Sequence, residues 1–425
     1  MIQSAAIATV CCLLLASCST GSDSSASTPE PEPSSTTVDS ESLTTGAPTT
    51  TAPATTSSTT TPTTADDDSD GRKPNTTEAL PAGQPPPAPS TPGKYGVGRQ
   101  TLTVFDPSRD RTIPVDVWYP TAPNLSGDLA RYEFILGIEL ESAIAIDGAK
   151  LSTDGGFPLV VYSHGSSGQS YIATFLTETL ASHGFVVAAP NHVGNTAIDA
   201  ALGTTDSLQD SAYDRPLDTS QTITAVFEAA ADTQSELFGS VDSTRVGIAG
   251  HSFGGFTAFA AVAGLPQTSH PATPPDERID AIAAMAPATS QLPDELLSSI
   301  TVPMMVITGT DDKNTPIDPE STRPFDLVSS AYAYRIDLAR AGHQSFTDLC
   351  GYIDEIPLLQ YVDAGDALDV DGCQSGQMPI DRAHELTNEY VIAFLQAHVA
   401  DNSSYRLLLT PDAAAMNSDV EFFVR

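Results

Sequence analysis

The order of apolar and polar positions after residue 93 predicts strands that alternate with helices. Residues 100–105 and 112–119 alternate apolar with polar side chains around DPSRDR, which predicts an antiparallel hairpin. Further apolar-rich runs, typical of strands buried on both faces, lie at residues 158–163, 185–190, 245–250, 279–287, 302–309 and 332–338. Helical patterns lie among them, at residues 171–182, 215–237, 254–263, 293–300 and 383–400. The expected fold class is therefore α/β, with a mostly parallel sheet covered on both faces and an antiparallel N-terminal hairpin.

The chain before residue 94 differs in composition from the rest. Residues 1–18, MIQSAAIATVCCLLLASC, carry no charge and an apolar run too short to cross a bilayer comfortably, which is typical of an export signal. Residues 19–93 are rich in Ser, Thr, Pro and Asp and poor in large apolar side chains, which predicts a disordered linker. Residues 94–425 are long enough for one large α/β domain.

The end of the export signal, LASC, resembles the bacterial lipobox. We therefore expect Cys18 to be acylated and to become the mature N-terminus, which would anchor the protein to a membrane or cell surface. The segment lacks the usual Lys or Arg near Met1, and an ordinary cleaved signal peptide is the alternative.

Cysteine usage agrees with export. Once the three cysteines of residues 1–18 are set aside, Cys350 and Cys373 remain. Two cysteines in an exported domain predict a disulfide that closes the loop between them, with a pair of buried thiols as the alternative. No CxxC or HExxH spacing occurs, so the sequence predicts no metal site.

The formal net charge is −36 at pH 7, from 18 basic and 54 acidic residues. Such a surface repels nucleic acid and anionic lipid headgroups, so we expect no nucleic-acid partner. The folded domain is predicted to act as a monomer without a cofactor.

Three segments carry the candidate chemistry. VGIAGHSFGGFTA (246–258) places one serine between glycines where a buried strand is predicted to become a helix, an arrangement that would project Ser252 into a cleft. GTDDKNTP (309–316) and AGHQSF (341–346) lie at the ends of two further predicted strands, at residues 302–309 and 332–338. Each segment carries polar side chains. Ligands of open α/β sheets bind at the carboxyl ends of the strands, so these segments are expected to meet there. A glycine-rich turn that contains a serine by chance is the alternative for the first segment alone.

Taken together, these segments resemble an α/β-hydrolase, closest to the bacterial dienelactone-hydrolase-like and platelet-activating-factor acetylhydrolase-like esterases. The matching segments are VDVWYP (115–120), VVYSHGSSG (160–168), APNHVGNT (189–196), DRPLD (214–218), GHSFGG (250–255), GTDDKNTP (309–316) and AGHQSF (341–346). The resemblance implies a serine esterase that cleaves a small-molecule ester, a lipid ester or a lactone. Polyester hydrolysis, acyl transfer and a non-catalytic surface binding module are the alternatives.

The resemblance also implies a role for each candidate residue. Ser252 would be the nucleophile and His343 the base that accepts its proton. The family pattern G-x-x-D-x-x-x-P places the acid that orients the imidazole at Asp312, with Asp311 as the alternative.

The backbone N–H groups of Phe253 and Ser166 would form the oxyanion hole. His164, His251 and His192 lie within the matching segments, beside the candidate site, and are interpreted as structural.

Two insertions, at about residues 121–157 and 349–380, are expected to roof the cleft. FILGIEL (134–140) would supply an apolar wall for an acyl chain.

Overall fold

The structure is a computed structural model and describes residues 88–135, 138–356 and 370–425. The predicted export signal, Cys18 and the linker as far as residue 87 lie outside these residues. The last part of the predicted linker, residues 88–93, contacts the folded domain. The backbone N–H of Gly93 donates to Ser182 Oγ at 2.8 Å, and the carbonyl of Thr91 lies 2.8 Å from His183 Nε2.

Eleven strands of the described residues form one sheet. They are β1 (Gly96–Asp106), β2 (Arg111–Thr121), β3 (Leu129–Ile135), β4 (Ile138–Asp147), β5 (Phe157–Ser163), β6 (Val186–Pro190), β7 (Val241–His251), β8 (Ala281–Met285), β9 (Met304–Gly309), β10 (Ala333–Leu338) and β11 (Val420–Val424). Their order across the sheet is β11-β10-β9-β8-β7-β5-β6-β2-β1-β4-β3. The block from β10 to β6 is parallel, and β1 and β2 form an antiparallel hairpin. This arrangement confirms the predicted fold class.

The α-helices of the described residues cover both faces of this sheet. They are α1 (Thr174–Ser182), α2 (Ala197–Leu202), α3 (Leu208–Ala231), α4 (Phe253–Ala263), α5 (Asp294–Ser299), α6 (Ile317–Glu320), α7 (Thr322–Leu327), α8 (Leu349–Glu355), α9 (Ile380–His398) and α10 (Pro411–Ala414). Within the described part of the chain, none combines the length and the apolar character needed to cross a bilayer.

Helix α3 begins and ends earlier than the periodicity over 215–237 predicts. Ser207 caps its N-terminus, and the Ser207 side chain accepts a hydrogen bond from the N–H of Asp210 at 3.1 Å. This local cap starts the helix ahead of Pro216, which lies inside it although proline is disfavoured there.

The first predicted insertion extends the sheet, whereas we expected it to roof the cleft. β3 and β4 pair antiparallel with each other, and β4 pairs parallel with β1. The alternation of apolar and polar side chains in IELE, at the start of β4, is a sequence feature typical of a strand. Residues 136–137 of the predicted apolar wall, and residues 357–369 of the second insertion, lie outside the described residues.

Strand β5 illustrates how both faces are buried. Val160 and Tyr162 belong to the apolar cluster that includes α1 and α9. Leu159 and Val161 point the other way, into the cluster that includes α3 and α4. All four side chains are fully buried, so the strand ends that carry the candidate site are held by packing on both sides.

Candidate active site

Ser252 occupies the turn between β7 and α4. Its backbone has φ 57° and ψ −118°, a conformation that residues other than glycine rarely adopt. Such a conformation costs on the order of 1–3 kcal/mol and persists only where the surroundings hold it. Here the N–H of Ser252 donates to the carbonyl of Met285 at 2.9 Å, and its carbonyl accepts from the N–H of Ala288 at 3.1 Å. Both contacts come from the end of the neighbouring strand β8, which fixes the turn to the sheet.

The glycines on either side of Ser252 are required by close backbone contacts. A Cβ atom at Gly254 would overlap the carbonyl of Ser163, and one at Gly250 would overlap the carbonyl of Gly254. Close approach of backbone to backbone therefore explains why GHSFG has glycine at these two positions.

The structure brings the side chains of Ser252, His343 and Asp312 together. Ser252 Oγ lies 2.9 Å from His343 Nε2, and His343 Nδ1 lies 2.9 Å from Asp312 Oδ2. Asp312 follows β9, and His343 begins a short 3₁₀ turn after β10. Asp312 is 6% exposed, whereas Asp311 is exposed to solvent. The buried aspartate is therefore the one that contacts the imidazole.

The carboxylate of Asp312 is held by its own loop. Oδ1 accepts the N–H groups of Asn314 at 2.9 Å and Thr315 at 2.8 Å, and Oδ2 lies 2.8 Å from the Thr315 hydroxyl. Burial alone would raise the pKa of Asp312. The hydrogen bond from His343 and the attraction to its charge, with the Thr315 contacts, outweigh burial and lower the pKa below its ordinary value. The carboxylate is thus ionised near neutral pH.

Thr315 is a site residue that sequence reasoning missed. Its hydroxyl also lies 2.9 Å from the carbonyl of Ala286 and 3.1 Å from His343 Nδ1. The only local signal is a threonine three positions after an aspartate in a turn. This pattern is common, because the aspartate side chain binds nearby backbone N–H groups of the turn.

The ring of His251 packs against that of the candidate base, His343, with 4.7 Å between the ring centres. Its Nε2 lies 3.0 Å from the carbonyl of His343, so Nε2 carries a proton and donates it. Burial, and then the neighbouring charge of His343, lower the pKa of His251 to about 3. The ring is therefore neutral near pH 7, which agrees with a structural role.

The two predicted oxyanion donors lie at the ends of the adjacent strands β5 and β7. The N–H of Phe253 is in the first turn of α4, where an α-helix offers it no intrahelical acceptor. Ser166 lies in the loop after β5 and is exposed. This loop touches the turn at Ser252, since a Cβ at Gly165 would be 3.5 Å from Ser252 Cβ.

Arg215, on α3, contacts the segments that carry both donors. Its fully buried guanidinium donates to the carbonyl of His164, to Ser163 Oγ at 3.2 Å and to Asn195 Oδ1 at 2.7 Å. It also lies 4.7 Å from the centre of the Phe253 ring. Burial lowers the pKa of Arg215 to about 9, so the group is still a cation at neutral pH.

His164 and His192 complete this buried network. His164 Nδ1 lies 2.7 Å from the carbonyl of Gly165, and its Nε2 accepts the N–H of His192 at 3.1 Å. His192 Nδ1 lies 3.1 Å from Asp218 Oδ2. Burial, and then the charge of the nearby Arg215, hold the pKa values of both histidines well below their ordinary value. Both rings are therefore neutral and orient the loop.

Arg215, Asn195 and Asp218 lie within two of the segments that carry the family resemblance, APNHVGNT (189–196) and DRPLD (214–218). No role was assigned to them from the sequence. Asn195 and helix α3, which carries Arg215 and Asp218, meet the loop after β5 only in the folded chain, so no local pattern reveals these contacts.

Cys350 and Cys373 form a disulfide with a Cα–Cα distance of 5.2 Å. Cys350 lies in α8, which follows the 3₁₀ turn of His343. Among the residues that the structure describes, no group of three or more His, Cys, Asp or Glu side chains is arranged to hold a metal ion.

The fold, with a serine at the turn after β7 and its imidazole and carboxylate partners after β10 and β9, is that of an α/β-hydrolase. Residues 129–215 match the sequence model of the family described as platelet-activating factor acetylhydrolase, isoform II. The match confirms the resemblance to this family and indicates an ester hydrolase. The matched segment includes the loop after β5 and ends at Arg215, before Ser252, Asp312 and His343.

Proposed function

We propose that the protein is a serine hydrolase that cleaves carboxylic esters through an acyl-enzyme on Ser252. The pair of 2.9 Å contacts from Ser252 Oγ to His343 Nε2 and from His343 Nδ1 to Asp312 Oδ2 carries this proposal. A serine hydroxyl is a weak nucleophile at neutral pH, and these contacts supply the base and the acid that it needs.

In the first step, His343 Nε2 takes the proton of Ser252 as Oγ bonds to the ester carbonyl carbon. The N–H groups of Phe253 and Ser166 bind the oxyanion that develops. The bond to the alcohol oxygen then breaks, and His343 gives its proton to the departing alcohol. Water repeats the sequence on the acyl-enzyme, which releases the acid and restores Ser252.

Asp312 acts by holding the imidazole. Its carboxylate accepts the Nδ1 proton, which leaves Nε2 free to receive the proton of Ser252, and it stabilises the imidazolium that forms. Arg215 supports the oxyanion donors, because it contacts the loop of Ser166 and the ring of Phe253.

The test measures hydrolysis by the mature protein of p-nitrophenyl esters with acyl chains from acetyl to long, and of phospholipid and polyester substrates. The family name makes an acetyl ester a required member of the panel. We expect hydrolysis by the wild type, labelling of Ser252 by an organophosphonate, and loss of both in Ser252→Ala. Ser290→Ala, which changes an exposed serine, is the matched control.

Activity or labelling retained in Ser252→Ala would overturn the proposal. No turnover of any ester by the wild type would favour a binding module. Product analysis with a competing alcohol separates the two uses of the acyl-enzyme, because acyl transfer yields a new ester and hydrolysis yields the acid.

We also propose that the protein is exported and anchored by lipid at Cys18. The disulfide is compatible with an oxidising compartment. The LASC sequence at the end of the apolar segment supports the anchor.

A further inference from the structure

Asp371 lies between the loops that carry the candidate base and the candidate acid. Its Oδ2 accepts the backbone N–H of Lys313 at 2.9 Å and faces that of His343 at 3.5 Å. Lys313 directly follows Asp312 in the chain. One buried carboxylate, 5% exposed, therefore contacts both loops at the point where each presents its side chain to the triad.

The backbone of Asp371 adds a contact to the same loop. Its carbonyl accepts the N–H of Gln344 at 2.6 Å. The chain at Gly342 passes so close to Gly372 that a Cβ at Gly342 would overlap the N atom of Gly372. The turn that carries Asp371 is therefore packed directly on the loop of His343.

Two further features fix this turn. The Gln377 side chain donates from Nε2 to Asp371 Oδ1 at 2.8 Å and accepts the N–H of Gly372 through Oε1 at 2.7 Å. Cys373, in the same turn, is bonded to Cys350 of α8. The disulfide thus connects the turn to the helix that follows the His343 loop.

We propose that Asp371 is a positioning residue that sets the relative placement of His343 and Asp312, and that the Cys350–Cys373 disulfide holds it there. The inference rests on the proposed function, since it concerns the same triad. The physical reason is that hydrogen bonds from N–H groups to a carboxylate are stronger than those between neutral groups, and burial strengthens them further. Without this carboxylate, the N–H groups of Lys313 and His343 lose the acceptor that they share.

The first experiment compares Asp371→Ala with Asp371→Asn. In Asp371→Ala the N–H of Lys313 loses its acceptor, and we expect kcat to fall about 10- to 100-fold with KM within about twofold, the range that a small displacement of catalytic groups produces. Asp371→Asn should recover part of the activity, because its amide oxygen can still accept both N–H groups, whereas its NH₂ group faces Gln377 Nε2 where Oδ1 was. Asp354→Ala, which removes an exposed carboxylate from α8, is the matched control.

Rates are expressed per active site, titrated with the organophosphonate, at a temperature well below each variant's melting temperature. A merely structural role would lower the melting temperature and leave kcat per active site unchanged. The pH profile of kcat/KM is a second readout, because a displaced imidazole–carboxylate pair shifts its acid limb.

The second experiment tests the disulfide. We expect kcat of the Cys350→Ser/Cys373→Ser protein to fall by a factor similar to that in Asp371→Ala. When Asp371→Ala is added to the two cysteine substitutions, kcat should fall little further, because both changes release the same contact. Wild-type kcat in Asp371→Ala would overturn the proposal, and wild-type kcat in the cysteine variant would overturn the role of the disulfide. When either of these results is found and Ser252→Ala is inactive, the inference about Asp371 or the disulfide has failed and the proposed function stands. An active Ser252→Ala would refute the proposed function itself.

Discussion

In Asp312→Asn, the hydrogen-bond donors around residue 312 determine which way the new amide group points. Oδ1 accepts two backbone N–H groups, from Asn314 at 2.9 Å and Thr315 at 2.8 Å. In Asp312→Asn the amide oxygen must occupy this position, since an NH₂ group there would face two donors. The NH₂ group then takes the place of Oδ2, 2.9 Å from His343 Nδ1.

This orientation selects the wrong tautomer of His343. The new NH₂ group donates to Nδ1, so the imidazole proton moves to Nε2, and Nε2 can no longer accept the proton of Ser252. We expect kcat/KM at neutral pH to fall by about 10³- to 10⁴-fold, the size of effect found when a triad aspartate is replaced by asparagine in an unrelated serine protease. This is about 4 to 5.5 kcal/mol of transition-state stabilisation.

The assay is hydrolysis of p-nitrophenyl acetate by protein titrated for active sites, with the melting temperature as a check on folding. Asp311→Asn is the matched control, because Asp311 is exposed, and its activity should stay within about twofold of the wild type. A folded Asp312→Asn protein that keeps more than about a tenth of the activity would refute the tautomer argument. A larger loss in Asp311→Asn than in Asp312→Asn would show that the acid is wrongly assigned.

The remaining predictions concern groups around the triad and the proposed anchor. In Arg215→Lys the ammonium cannot reproduce the planar set of donors, so we expect kcat to fall about 10- to 100-fold with little change in KM; a folded variant with wild-type kcat would contradict the role of Arg215. Between pH 6.5 and about 3 the unfolded chain binds a proton at His251 that the folded chain excludes, so stability falls with decreasing pH by up to about 1.4 kcal/mol per unit. In His251→Gln the pH dependence of the free energy of unfolding, measured with urea, should become shallower by that amount. An unchanged pH dependence would contradict a neutral, buried His251 in the folded chain. Cys18→Ser should move the protein to the soluble fraction or block its processing, and unchanged membrane association would refute lipidation.

The sequence was sufficient for features that depend on local patterns. Apolar runs located the parallel strands, and each polar residue directly after such a run lies at the same edge of the sheet because parallel strands end there. GHSFG was recognisable because close backbone contacts at Gly250 and Gly254 exclude side chains. Strands β3 and β4 were missed because the insertion was interpreted as a roof over the cleft and FILGIEL as an apolar wall, although IELE at the start of β4 alternates as a strand does.

The contacts that support the triad could not be predicted in the same way. Asp371 belongs to VDAGDALDVDGC, which contains four aspartates, and nothing in that segment shows which of them faces the loop of His343. Arg215, on α3, donates to the carbonyl of His164 in the loop after β5. Such contacts depend on how distant elements pack, and local sequence carries no record of that packing.

The two halves of the candidate site are held by different means. Ser252 is fixed by its own backbone conformation and by hydrogen bonds to Met285 and Ala288 at the end of the neighbouring strand, so its position follows from the sheet itself. His343 and Asp312 lie on loops, and their alignment depends on side-chain contacts from Thr315 and Asp371. Because strand ends are set by local sequence and loop contacts are not, the candidate nucleophile is visible in the sequence, whereas the residues that align its partners are visible only in the fold.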